Sequence, residues 1–318
     1  MNRSLIAVVA AGALAALPAA AGASTVTSVP TGPFFYNTIF TGDPGPNTVT
    51  LAVPGTPSGS QWTDSKPLTA LVGCTAGTPV SCIGPDTETH LGGGQDHFTN
   101  THSNYKVYVY GDDGADTITA NGNVTVAYGG NGPDTIDINA NGDPDGFGEV
   151  GADKLRGGGG NAFSTHLDGG DGPDLLVGWS TVDHLTGDAG QDALFSTFGG
   201  GTADGGDAAD VIVNLGVHTH GFSAIGGGGP DTIVGAGATD TVDAGAGADV
   251  IDVAGDPGSA DQVTCGAGRD TVYADADDVL TGCENVTIGT VDPTTLPGVA
   301  GAVAELKATW PAHPTGSY

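Results

Sequence analysis

Gly169-Gly170-Asp171-Gly172-Pro173-Asp174-Leu175-Leu176 is the stretch that decides the fold. Read as G-G-x-G-x-D-x-U, with U a large apolar residue, it returns as Gly129-Gly130-Asn131-Gly132-Pro133-Asp134-Thr135-Ile136 and as Gly226-Gly227-Gly228-Gly229-Pro230-Asp231-Thr232-Ile233. Glycine enters the positive φ angles of tight turns without steric cost. The apolar residue that follows opens a short strand. Looser copies surround these three. The sixth-position Asp falls at Asp96, Asp116, Asp134, Asp153, Asp174, Asp192, Asp210, Asp231, Asp249 and Asp270, in steps of 20, 18, 19, 21, 18, 18, 21, 18 and 21 residues.

The commonest step is 18, two nonapeptides, and the longer steps add small insertions. A fixed period of this kind marks a solenoid, in which each repeat buries its apolar face only against its neighbours. The expected fold is all-β: a parallel β-roll, or β-helix solenoid, of about 18 residues per coil with an irregular N-terminal cap. Each coil has two strands and two turns, and the Asp turns stack on one edge. The U residues Ile118, Ile136, Leu155, Leu176, Leu194, Ile212, Ile233, Ile251 and Val272 point inward. Alternation such as Thr135-Ile136-Asp137-Ile138 fits a strand with one buried face. The opposite edge is a partly eroded second nonapeptide. Its strands include Val124-Thr125-Val126, Asp183-His184-Leu185, Asp240-Thr241-Val242, Asp261-Gln262-Val263 and Asp278-Val279-Leu280, and insertions collect there at 217–223 and 256–259.

Outside the repeats, residues 1–23 read as a secretory signal peptide. Arg3 gives a positive start, Leu5 to Leu17 an apolar stretch, and Ala21-Gly22-Ala23 a cleavage site. The expected location is therefore secreted, or extracellular. Residues 24–90 form the cap, with Phe34, Phe35, Tyr36 and Phe40 as an apolar plug. Within it, Gly42-Asp43-Pro44-Gly45-Pro46-Asn47-Thr48-Val49 is a degenerate copy with Asn in place of Asp. The roll runs over 91–288 and a tail over 289–318, where Val299 to Lys307 is a weak helix candidate. Four cysteines in an exported chain imply two disulfides, with three possible pairings. Cys265 and Cys283 lie 18 residues apart, one coil. Stacked positions sit about 4.8 Å apart, inside the span of about 4.4–6.8 Å that a disulfide bridges. That favours Cys265–Cys283, with Cys74–Cys82 closing a small N-terminal loop.

Charge narrows the function. There are 37 acidic residues against 7 Lys plus Arg, for a net charge of −30. Nucleic acid and anionic membrane surfaces are excluded as partners, because both need cationic side chains. No stretch beyond the leader is expected to span a membrane. Stacked carboxylates about 5 Å apart repel by roughly 1 kcal/mol per pair in water and by more at lower dielectric. A hard divalent cation removes that repulsion. Calcium takes six to eight oxygens in flexible geometry, whereas magnesium demands a stricter octahedron. Zinc would need His or Cys. The expected ligands for several Ca2+ ions are the ten Asp residues, with Asn131, Asp171, Gly129, Gly169, Gly226 and Gly228 in the turns beside them. Departures from the motif, at Asp112, Glu149, Asp188, Ala208, Ala244 and Cys265, imply fewer ions than repeats.

On these residues the chain resembles the RTX, or hemolysin-type calcium-binding, family over roughly Leu91 to Val286. The resemblance implies a β-roll that holds calcium between successive turns through the sixth-position Asp and backbone carbonyls. The ending Cys265-Gly266-Ala267-Gly268-Arg269-Asp270-Thr271-Val272 with Cys283-Glu284-Asn285-Val286 is similar to secreted actinobacterial repeat proteins. The reading is a non-catalytic, secreted calcium-binding protein of structural or adhesive role. The alternative is a β-helix polysaccharide-binding or polysaccharide-lyase-like protein, with cell-surface or matrix polysaccharide as partner. No H-E-x-x-H or G-x-S-x-G is present, and the only internal candidates for a lyase-type site are Lys154 and Arg156 beside Asp153. Smaller signals are an EF-hand-like run from Asp137 to Asp145, a His218/His220 pair, and Trp179 as a sugar contact ahead of Trp62 and Trp310.

Overall fold

A computed structural model describes residues 25–30, 36–42, 44–52, 60–64, 69–70, 74–75, 80–82 and 86–310, apart from 101–105, 123, 141–144, 159–163, 181, 198–199, 217–220 and 236. The expected signal peptide, Phe34, Phe35, His218, His220 and part of the EF-hand-like run lie outside the described residues, as do the side chains of Trp62, Cys74 and Cys82.

The inward apolar residue of each copy sets the architecture. Ile118, Ile136, Leu155, Leu176, Leu194, Ile212, Ile233, Ile251 and Val272 pair in continuous parallel register. All nine are fully buried. Strands leaving the Asp turns, such as Thr135–Ala140 and Leu175–Gly178, make one sheet. Strands entering them, such as Val124–Asn131 and Thr165–Asp171, make the other. Their inner side chains meet in one core. The solenoid advances about 19 residues per turn, slightly above the commonest step because of the insertions. The coil spacing is visible on the outer face, where the rings of His90, Tyr110, Tyr128 and Phe147 stack with centroids 4.4, 4.8 and 4.9 Å apart.

Parallel stacking reaches back beyond Leu91. Tyr36–Thr41 pairs with Asp86–His90, and Thr48–Ala52 pairs with His97–Asn100, both in parallel. The degenerate copy is thus the turn of a true first coil. Antiparallel strands lie over that end: Thr25–Pro30 on Tyr36–Thr41, and Ser60–Asp64 on Thr48–Ala52. Cys74 is set opposite Cys82 by strand register. The Cys265–Cys283 disulfide staples the last coil, with Cα atoms 5.2 Å apart.

A second core lies outside the solenoid. In three adjacent coils the strands are apolar on both faces: Leu175-Leu176-Val177, Leu194-Phe195 and Val211-Ile212-Val213. Such strands need cover on two sides. The C-terminal helix, Val299–Thr309, supplies it. Val299, Val303, Leu306 and Trp310 recur at helical spacing and bury against Leu175, Val177, Phe195, Val213 and Val234. Lys154 Nζ bonds Glu305 Oε1 of the helix at 3.0 Å. The Arg156 guanidinium lies over the rings of both Trp179 (5.4 Å) and Trp310 (5.5 Å) and pairs with Asp137. The two basic residues thus fasten the helix. Trp179, read from sequence as a sugar contact, has Arg156 over its ring.

Candidate metal centre

The glycines of each copy bring the chain around, and the Asp that follows turns its carboxylate into the bend. There it meets the next coil. Oδ1 of each Asp accepts the backbone N–H of the Asp one coil earlier. Asp96 donates to Asp116, Asp116 to Asp134, and so on to Asp249 and Asp270, at 2.7–3.0 Å. All ten predicted Asp side chains therefore fall in one column, each at most 3% exposed. The ladder continues where the motif does not. Asn47 N donates to Asp96 Oδ1 at one end, and Asp270 N donates to Glu284 Oε2 at 3.0 Å at the other.

The second oxygen behaves differently. Oδ2 of Asp116, Asp134, Asp153, Asp174, Asp192, Asp210, Asp231, Asp249 and Asp270 is buried and has no hydrogen-bond partner in the protein. An unsatisfied buried carboxylate oxygen is costly. Burial accordingly raises the carboxyls, against the backbone hydrogen bond that favours ionisation. Asp153 and Asp192 are pushed up to about 8, and Asp116 and Asp231 to about 7. Asp134, Asp174, Asp210 and Asp249 are pushed up to about 6. Neighbouring carboxylates add to the effect, as Asp174 and Asp210 do at Asp192. Such an oxygen needs either a proton or a cation.

The first-position glycines show how closely the backbone packs against the orphan oxygens. A Cβ on Gly187 would stand 2.5 Å from Asp192 Oδ2 and 2.4 Å from the Gly205 carbonyl. A Cβ on Gly129 would stand 2.5 Å from Asp134 Oδ2 and 2.8 Å from the Gly148 carbonyl. Gly111, Gly148, Gly205 and Gly226 repeat the arrangement, and Gly169 has Asp174 Oδ2 at 2.5 Å. At each, the lack of a side chain lets the backbone lie against an orphan carboxylate oxygen, and at most of them a carbonyl oxygen of the next coil lies close to the same point. Leu91, Ala244 and Cys265 carry a buried side chain at that position, before Asp96, Asp249 and Asp270. This glycine arrangement accompanies seven of the ten Asp residues. Among the described residues no three His, Cys, Asp or Glu side chains converge. An ion here would draw largely on backbone oxygen, which suits calcium and not zinc.

Other predicted ligands separate from this column. Asn131 and Asp171, at position three, are exposed on the outside of the turn. Asn131 Nδ2 donates to Asp113 at 2.8 Å. Their side chains do not join the column. Gly226 lies against the column at the first position of its turn, like Gly129 and Gly169. Asp137 of the EF-hand-like run is engaged by Arg156.

The motif departures keep the turn. Asp112, Glu149, Asp188 and Ala208 all adopt positive φ, of 70°, 73°, 67° and 86°. The left-handed conformation costs a residue with a Cβ roughly 1–2 kcal/mol. Asp188 also presses on the carboxylate of Asp168, which is raised by burial and then by Asp188. Asp188→Gly is expected to stabilise the chain by about 1 kcal/mol, read as a higher denaturant midpoint at unchanged slope.

The second edge holds a smaller column that the sequence only hinted at. Phe222 N donates to Asp240 Oδ1 (2.9 Å), Asp240 N to Asp261 (2.7 Å) and Asp261 N to Asp278 (3.0 Å). Asp183 is fully buried there, and hydroxyls satisfy it: Ser180 Oγ at 2.6 Å on Oδ1 and Ser196 Oγ at 2.9 Å on Oδ2.

Compared with known protein families, residues 147–163, 160–194 and 224–256 match the RTX calcium-binding nonapeptide repeat, in four copies. No curated protein and no solved structure matches the chain.

Proposed function

We propose that this chain, which carries RTX calcium-binding nonapeptide repeats in a β-solenoid, is a secreted, non-catalytic structural or adhesive module whose fold calcium stabilises. One observation carries the reading: nine buried Asp Oδ2 atoms in one column lack a hydrogen-bond partner. Lys154 and Arg156 cannot neutralise them, since Glu305 and Asp137 hold those cations. The residues that would hold calcium are Asp116, Asp134, Asp153, Asp174, Asp192, Asp210 and Asp231, together with carbonyls of the glycine turns. Bound there, calcium supplies positive charge to carboxylates that burial otherwise drives toward protonation. The Asp residues keep Oδ1 on the neighbouring coil's N–H, so the same side chain joins the coils and presents Oδ2 to the ion.

The non-catalytic assignment draws on the same column. Its raised carboxyls are explained by repetition and burial, coil after coil, with no single residue set apart. Export draws on the leader-like N-terminal sequence and on the Cys265–Cys283 disulfide. Among the described residues no helix is long and apolar enough to cross a membrane.

The test is circular dichroism at pH 7.5 with EDTA and then excess calcium. Expected is a chain largely without β structure in EDTA that regains it on calcium addition. A spectrum indifferent to both would sink the reading.

A further inference from the structure

We propose that Asn47 does within the first coil what a bound cation does in the coils after it, so that the N-terminal coil joint closes without metal. The inference rests on the calcium reading above.

Asn47 occupies the sixth position of the first coil by backbone as well as by motif. Its carbonyl accepts His97 N at 2.8 Å, as the Asp96 carbonyl accepts Thr117 N at 2.8 Å. Its N–H donates to Asp96 Oδ1, as each later Asp donates to the next. The difference lies at the tip of the side chain. In the third coil a Cβ on Gly111 would meet Asp116 Oδ2 at 2.6 Å and the Gly129 carbonyl at 2.2 Å. Those are two acceptors with nothing to share. In the first coil a Cβ on Gly42 would meet Asn47 Nδ2 at 3.0 Å and the Leu91 carbonyl at 1.7 Å. Here one acceptor is replaced by a donor. Asn47 Nδ2 gives one hydrogen bond to Leu91 O at 3.0 Å and one to Gly45 O at 2.7 Å. The opposite amide orientation would set an oxygen against two carbonyl oxygens, so the network fixes the assignment.

A neutral carboxamide thus joins the first coil to the second with two N–H donors, without adding charge. Asp183 shows the same solution independently on the other edge, where Ser180 and Ser196 hydroxyls meet the carboxylate. In a stack whose stability is a sum of neighbour terms, a joint that closes without metal is a seed for the coils that need it. Calcium-dependent order then grows from the N-terminal end.

The test uses the full chain, with hydrogen exchange in EDTA and calcium stoichiometry by equilibrium dialysis. In wild-type protein in EDTA, amides of Thr48–Ala52 and His97–Asn100 are expected to be protected at least ~10-fold more than those of Thr232–Val234. Equal exchange in the two regions overturns the proposal, and that comparison needs no variant. Asn47→Asp is expected to lose the extra protection in EDTA, regain it with calcium and bind one more calcium per chain. An Asn47→Asp chain that binds no additional calcium and keeps its protection in EDTA overturns the proposal while leaving the calcium reading intact. A wild-type chain that binds no calcium overturns the calcium reading itself.

Discussion

Stripped of calcium, the chain is expected to regain its β structure when the pH is lowered from 8 to 5. Eight of the column carboxyls, Asp116 to Asp249, have folded values of about 6 to 8, raised from the ordinary 3.8 by burial. A group raised in the folded state contributes stability that is fully present below its unfolded value and lost as pH rises through its folded value. The loss for the metal-free chain therefore runs from about pH 4, near the unfolded value, up to about pH 8, with Asp153 and Asp192 the last to ionise. At pH 5 each of these eight carboxyls can carry a proton on its orphan Oδ2. With calcium bound the sign reverses, because the ion requires the carboxylates ionised, and acid then competes with the metal. Melting curves at pH 5 and 8, each in EDTA and in calcium, would show both slopes. Acid also lowers the general repulsion of a chain with net charge −30, so a local control is needed. Asp192→Asn should raise the melting temperature in EDTA clearly more at pH 8 than at pH 5. It supplies at one coil the amide that Asn47 supplies at the first. An equal gain at both pH values would show that titration of the column is not the cause.

The solenoid and its acidic column are legible in the sequence because both follow from a motif of fixed length. Once Asp134, Asp174 and Asp231 are aligned, every other Asp of the column is placed by counting, and so is the stapling of Cys265 to Cys283. What the motif leaves out was harder to see. Glu284 extends the ladder with a side chain that a search for Asp passes over, while Asn47, legible as a degenerate copy, joins it through its backbone N–H. Asp112, Glu149 and Asp188 look like damage to the glycine turn, yet each adopts the glycine conformation. The division of labour within one carboxylate, Oδ1 on an N–H and Oδ2 alone, depends on coil-to-coil contact that no local pattern encodes. The outer core did leave a trace. Strands with one buried face alternate, whereas Leu175-Leu176-Val177 and Val211-Ile212-Val213 do not. Continuous apolar runs in three adjacent coils require something to cover them, and Val299, Val303, Leu306 and Trp310 form the matching helical stripe.

Gly172→Ala is expected to be the most damaging single-methyl change in the central coils. Gly172 has φ of +131°, and a Cβ there would stand 1.5 Å from the Gly151 carbonyl oxygen. That neighbour is backbone held in the adjoining coil by a hydrogen bond from Gly151 N to Asp171 O, so it cannot yield as a flexible side chain would. The chain contains a natural comparison. Ala208 holds the same fourth position of its own copy by adopting φ of 86°, within the left-handed region that a Cβ can enter. It is followed by Ala209. Gly172 is followed by Pro173, whose ring restricts the residue before it toward extended conformations, and its N–H is committed to Ala189 O at 2.6 Å. The rotation that accommodates Ala208 is thus closed to an alanine at 172. The expected loss is about 3 kcal/mol in saturating calcium. Gly301→Ala, in open space within the C-terminal helix, should instead gain roughly 0.5–1 kcal/mol. Because each coil touches only its neighbours, a fault at one coil joint weakens coupling between the coils on either side. Gly172→Ala should therefore broaden thermal unfolding or split it in two, while Gly301→Ala keeps a single transition. A Gly172→Ala chain with wild-type stability and one sharp transition would mean that the coils can slide apart at little cost, contrary to the close carbonyl contact.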